Sequence, residues 1–119
     1  MSPTQRSLKL MRERGYTCQI TEKWNPFAKV RQDLFGFCDI LCIKPGEIMA
    51  VQTTTSGHIQ ERLEKIKSKD QAWMWLQAGG KIQVHGWKKS GKRSEFKGKW
   101  IHHEINHPQS RPLPSRKQL

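Results

Sequence analysis

The most telling alternation of apolar and polar positions runs from Phe37 to Thr55, FCDILCIKPGEIMAVQTTT. Two apolar, β-branched runs flank Pro45-Gly46, a pair suited to the centre of a tight turn, so the segment reads as a β-hairpin. With Lys44 opposite Glu47 and no bulge, Asp39 faces Gln52. Side chains alternate along a strand, so Phe37, Asp39, Leu41 and Ile43 share one face with Ile48, Ala50, Gln52 and Thr54. Directly opposed residues have Cβ atoms about 4.5 to 5.5 Å apart, close enough for both side chains to touch one ion. The plainer role for Asp39 is to end a loop or cap a turn. An acid within an apolar strand is costly unless it is paired, hydrogen-bonded or metal-bound, which favours function.

The same reading extends along the chain. Thr4 to Arg14 predicts a helix with Leu8 and Met11 inward, Arg6, Lys9 and Arg12 outward, and Gly15 as its stop. Tyr16 to Glu22 alternates as a strand, followed by an irregular loop through Trp24-Asn25-Pro26 to Gly36. After the hairpin, Ser56-Gly57 opens one long helix with the apolar stripe Ile59, Leu63, Ile66, Trp73 and Leu76, ending at Gly79-Gly80, while Arg62, Lys65 and Lys69 share its solvent flank. Lys81 to Trp87 is a further strand, and Trp100 to Ile105 follows the polar loop KKSGKRSEFKGK as a possible last one. The order α-β-β-β-α-β predicts an α/β fold with a central mixed sheet flanked by helices, in a single domain over residues 1–105. Residues 106–119 form a basic, proline-containing tail expected to be disordered.

Charge adds a partner to this picture. The 119 residues carry 22 Lys and Arg against 10 Asp and Glu, a formal net charge of +12. A field of that sign recruits polyanions, with nucleic acid first among them, because neutralising phosphates releases counterions. Neither a run of about 18 apolar residues nor the apolar core of a signal peptide is visible, so an intracellular, cytoplasmic protein is expected. Cys18, Cys38 and Cys42 form an odd set that suits a reducing compartment. Cys38 and Cys42 lie about 13 Å apart along one strand, poor spacing for a shared zinc, and read as small core residues. The five histidines show no HExxH or paired spacing.

Three segments together carry a family resemblance. A helix ending LMRERGY, a basic loop KVRQD, and DILCIKPGEIMAVQTTT resemble, in order and spacing, the core of the archaeal-type Holliday junction resolvases of the PD-(D/E)XK nuclease superfamily. The resemblance runs from about Arg6 to Leu76 and is strongest toward small phage-encoded members with a DLFGF segment, a Q-x-T in the third strand and a later HGW. It implies a restriction-endonuclease-like core, a Mg²⁺ or Mn²⁺ cofactor, branched DNA as substrate and a homodimer, since symmetric resolution of a four-way junction calls for two active sites.

Carried over residue by residue, Asp39 matches the family's metal-binding aspartate, Gln52 stands in the place of its glutamate and Thr54 in the place of its lysine. The main-chain carbonyl of Thr53 occupies the position of a further metal ligand. A hard cation prefers anionic oxygen, so Glu22 or Asp33 would supply the carboxylate that Gln52 lacks, the helix position of the family's extra glutamate falling near Thr4. Thr54 cannot carry lysine's charge, although its hydroxyl can orient water, and a cation from Lys29, Arg31, Arg62 or Lys65 would have to approach instead. Phosphate contacts are expected from Lys29 and Arg31 on the loop, Arg62 and Lys65 on the helix, and Lys88, Lys89, Lys92 and Arg93 later in the chain. Trp24 is the candidate for stacking on a base, Trp73 reads as core, and Phe35, Phe37 or Met74 as a possible dimer patch. Two readings follow: a Mg²⁺-dependent endonuclease for branched DNA, or a nuclease fold that binds DNA and has lost efficient cleavage through Gln52 and Thr54.

Overall fold

The computed structural model describes residues 2–88 and 99–105. Helix α1 (Pro3–Glu13) begins where the Ser2 hydroxyl accepts the Gln5 N–H at 3.2 Å. Pro3 fits its first turn, where no backbone donor is needed, and Gly15 at φ +92° turns the chain out of it. Strand β1 (Thr17–Ile20) follows, then a small hairpin of β2 (Lys23–Asn25) and β3 (Val30–Gln32), and then β4 (Ile40–Lys44) and β5 (Glu47–Thr55). A 3₁₀ turn at Ser56–His58 leads into α2 (Ile59–Lys67) and α3 (Asp70–Gln77), and the chain continues through β6 (Lys81–Lys88) and β7 (Lys99–Ile105).

The main sheet is mixed, in the order β1-β4-β5-β6-β7. Its predicted hairpin is present: Lys44 pairs with Glu47 around Pro45-Gly46, Gly46 taking φ +79°. Strands β5 and β6 run parallel, which requires a crossover, and α2 and α3 supply it. Helix α1 covers one face, Leu8 and Met11 packing with Ile40, Cys42, Met49 and Val51. Helices α2 and α3 cover the other, where Ile59, Leu63, Ile66, Trp73 and Leu76 meet Phe37, Ala50, Ile82 and Val84. Strand β5 lies between both layers, so Met49 through Thr54 is buried without interruption. Cys38 and Cys42 are core residues as expected, and Cys18 faces Cys42 across β1 and β4 with the sulfurs 3.2 Å apart.

Three expectations are corrected. The stretch from Trp24 to Gly36 is not a plain loop, since it holds β2 and β3, paired from Lys23–Gln32 to Asn25–Val30. That hairpin stands off the main sheet and buries no face, so its sequence carries no apolar alternation. The long helix is broken in two at Ser68 and Lys69, the latter extended at φ −93°, ψ 125°. Ile66 and Trp73 are seven residues apart, close to two helical turns, which is why periodicity alone joins them. The Ser68 hydroxyl and the Trp73 indole take up the Lys65 and Lys67 carbonyls at 2.6 and 2.7 Å and stabilise the break.

The third correction concerns Arg6, which is buried rather than outward, its guanidinium 5.3 Å from the centre of the Trp87 ring. Trp87 also donates its indole N–H to the Ser7 hydroxyl at 2.8 Å, and that hydroxyl meets His85 Nδ1 at 2.8 Å. These contacts dock α1 on β6. Between His85 and Trp87, Gly86 admits the crossover: a Cβ there would stand 2.3 Å from Ile59 Cδ1 and 3.1 Å from Ser56 Cα. No helix among the described residues is long and apolar enough to cross a membrane. The predicted tail and most of the preceding basic loop, including Lys89, Lys92 and Arg93, lie outside the described residues.

Candidate metal centre

Successive strand pairings assemble a polar group at one end of the sheet. The β2–β3 pairing closes at Lys23 and Gln32, so Glu22 and Asp33, the residues just outside it, are held side by side. A tight turn then pairs Leu34 with Cys38, which carries Asp33 toward Asp39. Phe35 and Gly36 at its centre have φ of 56° and 79°, the doubly left-handed backbone of a hairpin turn whose twist matches its strands. Strained backbone at the non-glycine Phe35 is thus spent on bringing two acids together.

The regular β4–β5 ladder ends at Ile40–Val51, one pair short of Asp39. Beyond it the Asp39 N–H also reaches the Val51 carbonyl, at 2.9 Å. The Asp39 carboxylate takes over as partner for β5: its Oδ2 accepts from the Thr53 N–H at 2.8 Å, the Gln52 Nε2 at 2.7 Å and the Thr53 hydroxyl at 3.3 Å. The expected approach of Asp39 to Gln52 is therefore present, made by side chains rather than by the ladder. Gln52 Nε2 also lies 3.4 Å from Asp33 Oδ2.

The outcome is a chain of four polar side chains, Glu22, Asp33, Asp39 and Gln52. Three of the protein's ten acidic residues place carboxylate oxygens within 4.8 Å of one another. Asp39 and Gln52 are each 2 % exposed. Burial, reinforced by Asp33 and then Glu22, pushes the Asp39 carboxyl well above the ordinary carboxylate range, against the opposing pull of the Thr53 N–H. Two buried oxygens, Asp39 Oδ1 and Gln52 Oε1, have no hydrogen-bond partner. Buried acceptors are rarely left bare, and each one costs about 1 to 3 kcal/mol. The three clustered carboxylates form a hard oxygen donor set that suits Mg²⁺ or Mn²⁺, and Gln52, whose Nε2 faces Asp39 and Asp33, adds a carbonyl oxygen that is still free.

No family model matches this chain, and neither the curated proteins nor the solved structures contain a match to it.

Thr53 meets Asp39 through its N–H, and in an extended strand the C=O of a residue points to the same side as its N–H, so the Thr53 carbonyl opens toward the same end. Thr4 reaches this group as well, its hydroxyl 3.0 Å from that of Thr53. Thr54 is buried on β5 opposite Gly86 and joins none of the hydrogen bonds around Asp39.

Two of the expected cations reach the acids. Lys65 on α2 puts Nζ 3.7 Å from Asp33 Oδ2, and Arg31 on β3 pairs with Glu22 at 3.3 Å. Lys29 sits in the β2–β3 turn and Lys88 ends β6. Arg62 is half-buried on α2, with its Nε buried and unpartnered. Trp24 is 57 % exposed, although on strand β2 rather than in a loop. Trp73 and Phe37 belong to the core, whereas Phe35 and Met74 are exposed.

Sequence reading left Glu22 and Asp33 as alternatives, and the structure brings both to Asp39. The signal lay in their positions at the two feet of a hairpin that lacked a recognisable alternation. Phe27 was missed altogether, and it is 96 % exposed.

Proposed function

We propose that this protein is a Mg²⁺-dependent endodeoxyribonuclease acting on branched DNA, built on a restriction-endonuclease-like core. The observation that carries the reading is the cluster of the Glu22, Asp33 and Asp39 carboxylates, in which Asp39 Oδ1 and the carbonyl oxygen of its partner Gln52 are buried and bare. Asp39 and Gln52 would hold the cation from the sheet, Glu22 and Asp33 from the hairpin, and the Thr53 carbonyl from the strand edge. When bound, the cation polarises the scissile phosphate and acidifies a water. Asp39 is fixed for this by the Thr53 N–H and the Gln52 amide, which occupy one carboxylate oxygen and leave the other to act. Lys65, already beside Asp33, supplies the positive charge that Thr54 lacks, and the remaining basic surface holds the flanking phosphates. Thr54 orients water through its hydroxyl. Two copies acting as a homodimer would cut opposite strands of a junction.

A second reading is a DNA-binding module of the same fold without efficient cleavage. The neutral Gln52 and Thr54 favour it. Labelled four-way junction, flap and linear duplex incubated with Mg²⁺ or Mn²⁺ separate the two. The nuclease reading expects cleavage that requires the metal and vanishes in Asp39→Ala; DNA that stays intact under saturating binding contradicts it and leaves the binding module.

A further inference from the structure

The hairpin that delivers Glu22 and Asp33 at its feet ends in a turn of unusual character. Asn25 organises that turn: its Oδ1 accepts the N–H groups of Phe27 and Ala28 at 2.9 and 3.1 Å, and its carbonyl accepts the Lys29 N–H at 2.7 Å. Pro26 fixes φ within it, and Lys29 closes it in the left-handed region at φ 56°. Asn25 also donates to Gln32 across the strands at 3.2 Å. The turn is thus set by its own hydrogen bonds, without help from packing. On it stands Phe27, 96 % exposed, with Trp24 57 % and Val30 47 % exposed on the strands behind. A single exposed apolar residue is ordinary, but an aromatic ring held out on a preorganised turn is a contact surface without its partner.

We propose that the β2–β3 hairpin is a wedge for nucleic-acid branch points, with Phe27 stacking on an unpaired base. The surrounding charge selects this occupant. Lys29 lies in the same turn as Phe27, and Lys23 and Arg31 lie on the strands behind it, Arg31 beside Glu22, so the hairpin carries cations along with the ring and can meet phosphates near the base. Every base has a π-face, and aromatic stacking combined with a basic track is how single strands are held without sequence preference. An anionic membrane fits less well, since the hairpin's feet bear the Glu22 and Asp33 carboxylates and its exposed residues form a tip rather than an amphipathic face.

The wedge rests on the nuclease reading and deepens it. From Glu22 to Asn25 the chain advances about 10 Å at the usual strand rise. The turn that carries Phe27 therefore stands about 10 Å along the hairpin from the acids at its feet.

The test measures binding by the full-length protein in Ca²⁺, so that it does not depend on cleavage. Phe27→Ala is expected to weaken binding to a four-way junction or a forked duplex about tenfold, with less than a twofold effect on linear duplex. Phe27→Trp is expected to keep wild-type affinity, and the salt slope of Phe27→Ala is expected to equal that of the wild type. Unchanged affinity for branched DNA overturns the proposal, as does an equal loss on branched and linear DNA. Phe27-dependent binding to anionic lipid vesicles, or loss of a dimer in Phe27→Ala without a change in DNA affinity, assigns the ring to another partner and also overturns it. If cleavage is never seen but the selective loss is, the wedge stands and the nuclease reading fails; if cleavage is seen without the selective loss, the nuclease reading stands and the wedge fails.

Discussion

Gln52 donates its side-chain amide to the Asp39 carboxylate across 2.7 Å and keeps its own carbonyl oxygen buried without a partner. The pair is half satisfied. Each residue uses one polar atom on the other and leaves one over, and Asp39 is clustered with Asp33 and Glu22.

Gln52→Glu tests what that neutral amide does. Without metal, a fourth carboxyl removes the amide donor shared by Asp39 and Asp33 and must share the Asp39 proton or repel the other acids, so stability falls by about 2 kcal/mol. Millimolar Mn²⁺ is expected to recover the loss, because a ligand that binds only the folded state stabilises it by mass action. Thermal unfolding of both proteins with and without Mn²⁺ reads this directly. A variant as stable as the wild type without metal, and no more stabilised by Mn²⁺, contradicts the proposed role of the amide.

Lys29 and Arg31 test the electrostatic side. Their double substitution by alanine is expected to lower affinity for DNA of any sequence and to reduce the magnitude of the salt slope by about 2, one for each phosphate contact. Titrations at several salt concentrations measure it. A slope equal to the wild type removes the hairpin from the binding surface.

Gly86 tests the crossover that sets β6 beside β5. Gly86→Ala forces a methyl against Ile59 and the Ser56 backbone, at an expected cost of about 1 to 3 kcal/mol in urea unfolding. No change in the midpoint means that the 3₁₀ turn moves freely, contrary to the packing described.

Cys38 gives a prediction in pH. Burial pushes its thiol up to about 11, so at pH 8 only about one part in a thousand is thiolate, the reactive form. The folded protein is expected to leave Cys38 unalkylated at pH 8 and to label it after denaturation. Mass spectrometry of iodoacetamide-treated protein checks this, and rapid native labelling of Cys38 contradicts it.

The central hairpin was legible because two local signals agreed. Pro45-Gly46 set the turn and with it the register that brought Asp39 toward Gln52, and alternation put the two on one face. The sites of failure share a different property. Nothing local distinguishes Arg6 from Lys9 on α1, and only the tertiary approach of Trp87 buries the former. The β2–β3 hairpin carries no alternation because it buries neither face, so the two acids at its feet could be named only as alternatives. The break between α2 and α3 was hidden because the spacing of Ile66 and Trp73 stays in phase across it. Mixed-sheet architecture followed from element order and turn chemistry, whereas the assembly of the acidic group depended on three separate chain reversals.

The most direct measurement of the central claim is anomalous diffraction from crystals soaked in Mn²⁺. A metal centre at this site predicts a peak within coordination distance of Asp39 Oδ1 and Gln52 Oε1, with Asp33 or Glu22 among the ligands, and its loss in Asp39→Ala. Absence of a peak there at saturating Mn²⁺, or a Gln52 carbonyl turned away from the ion, contradicts it.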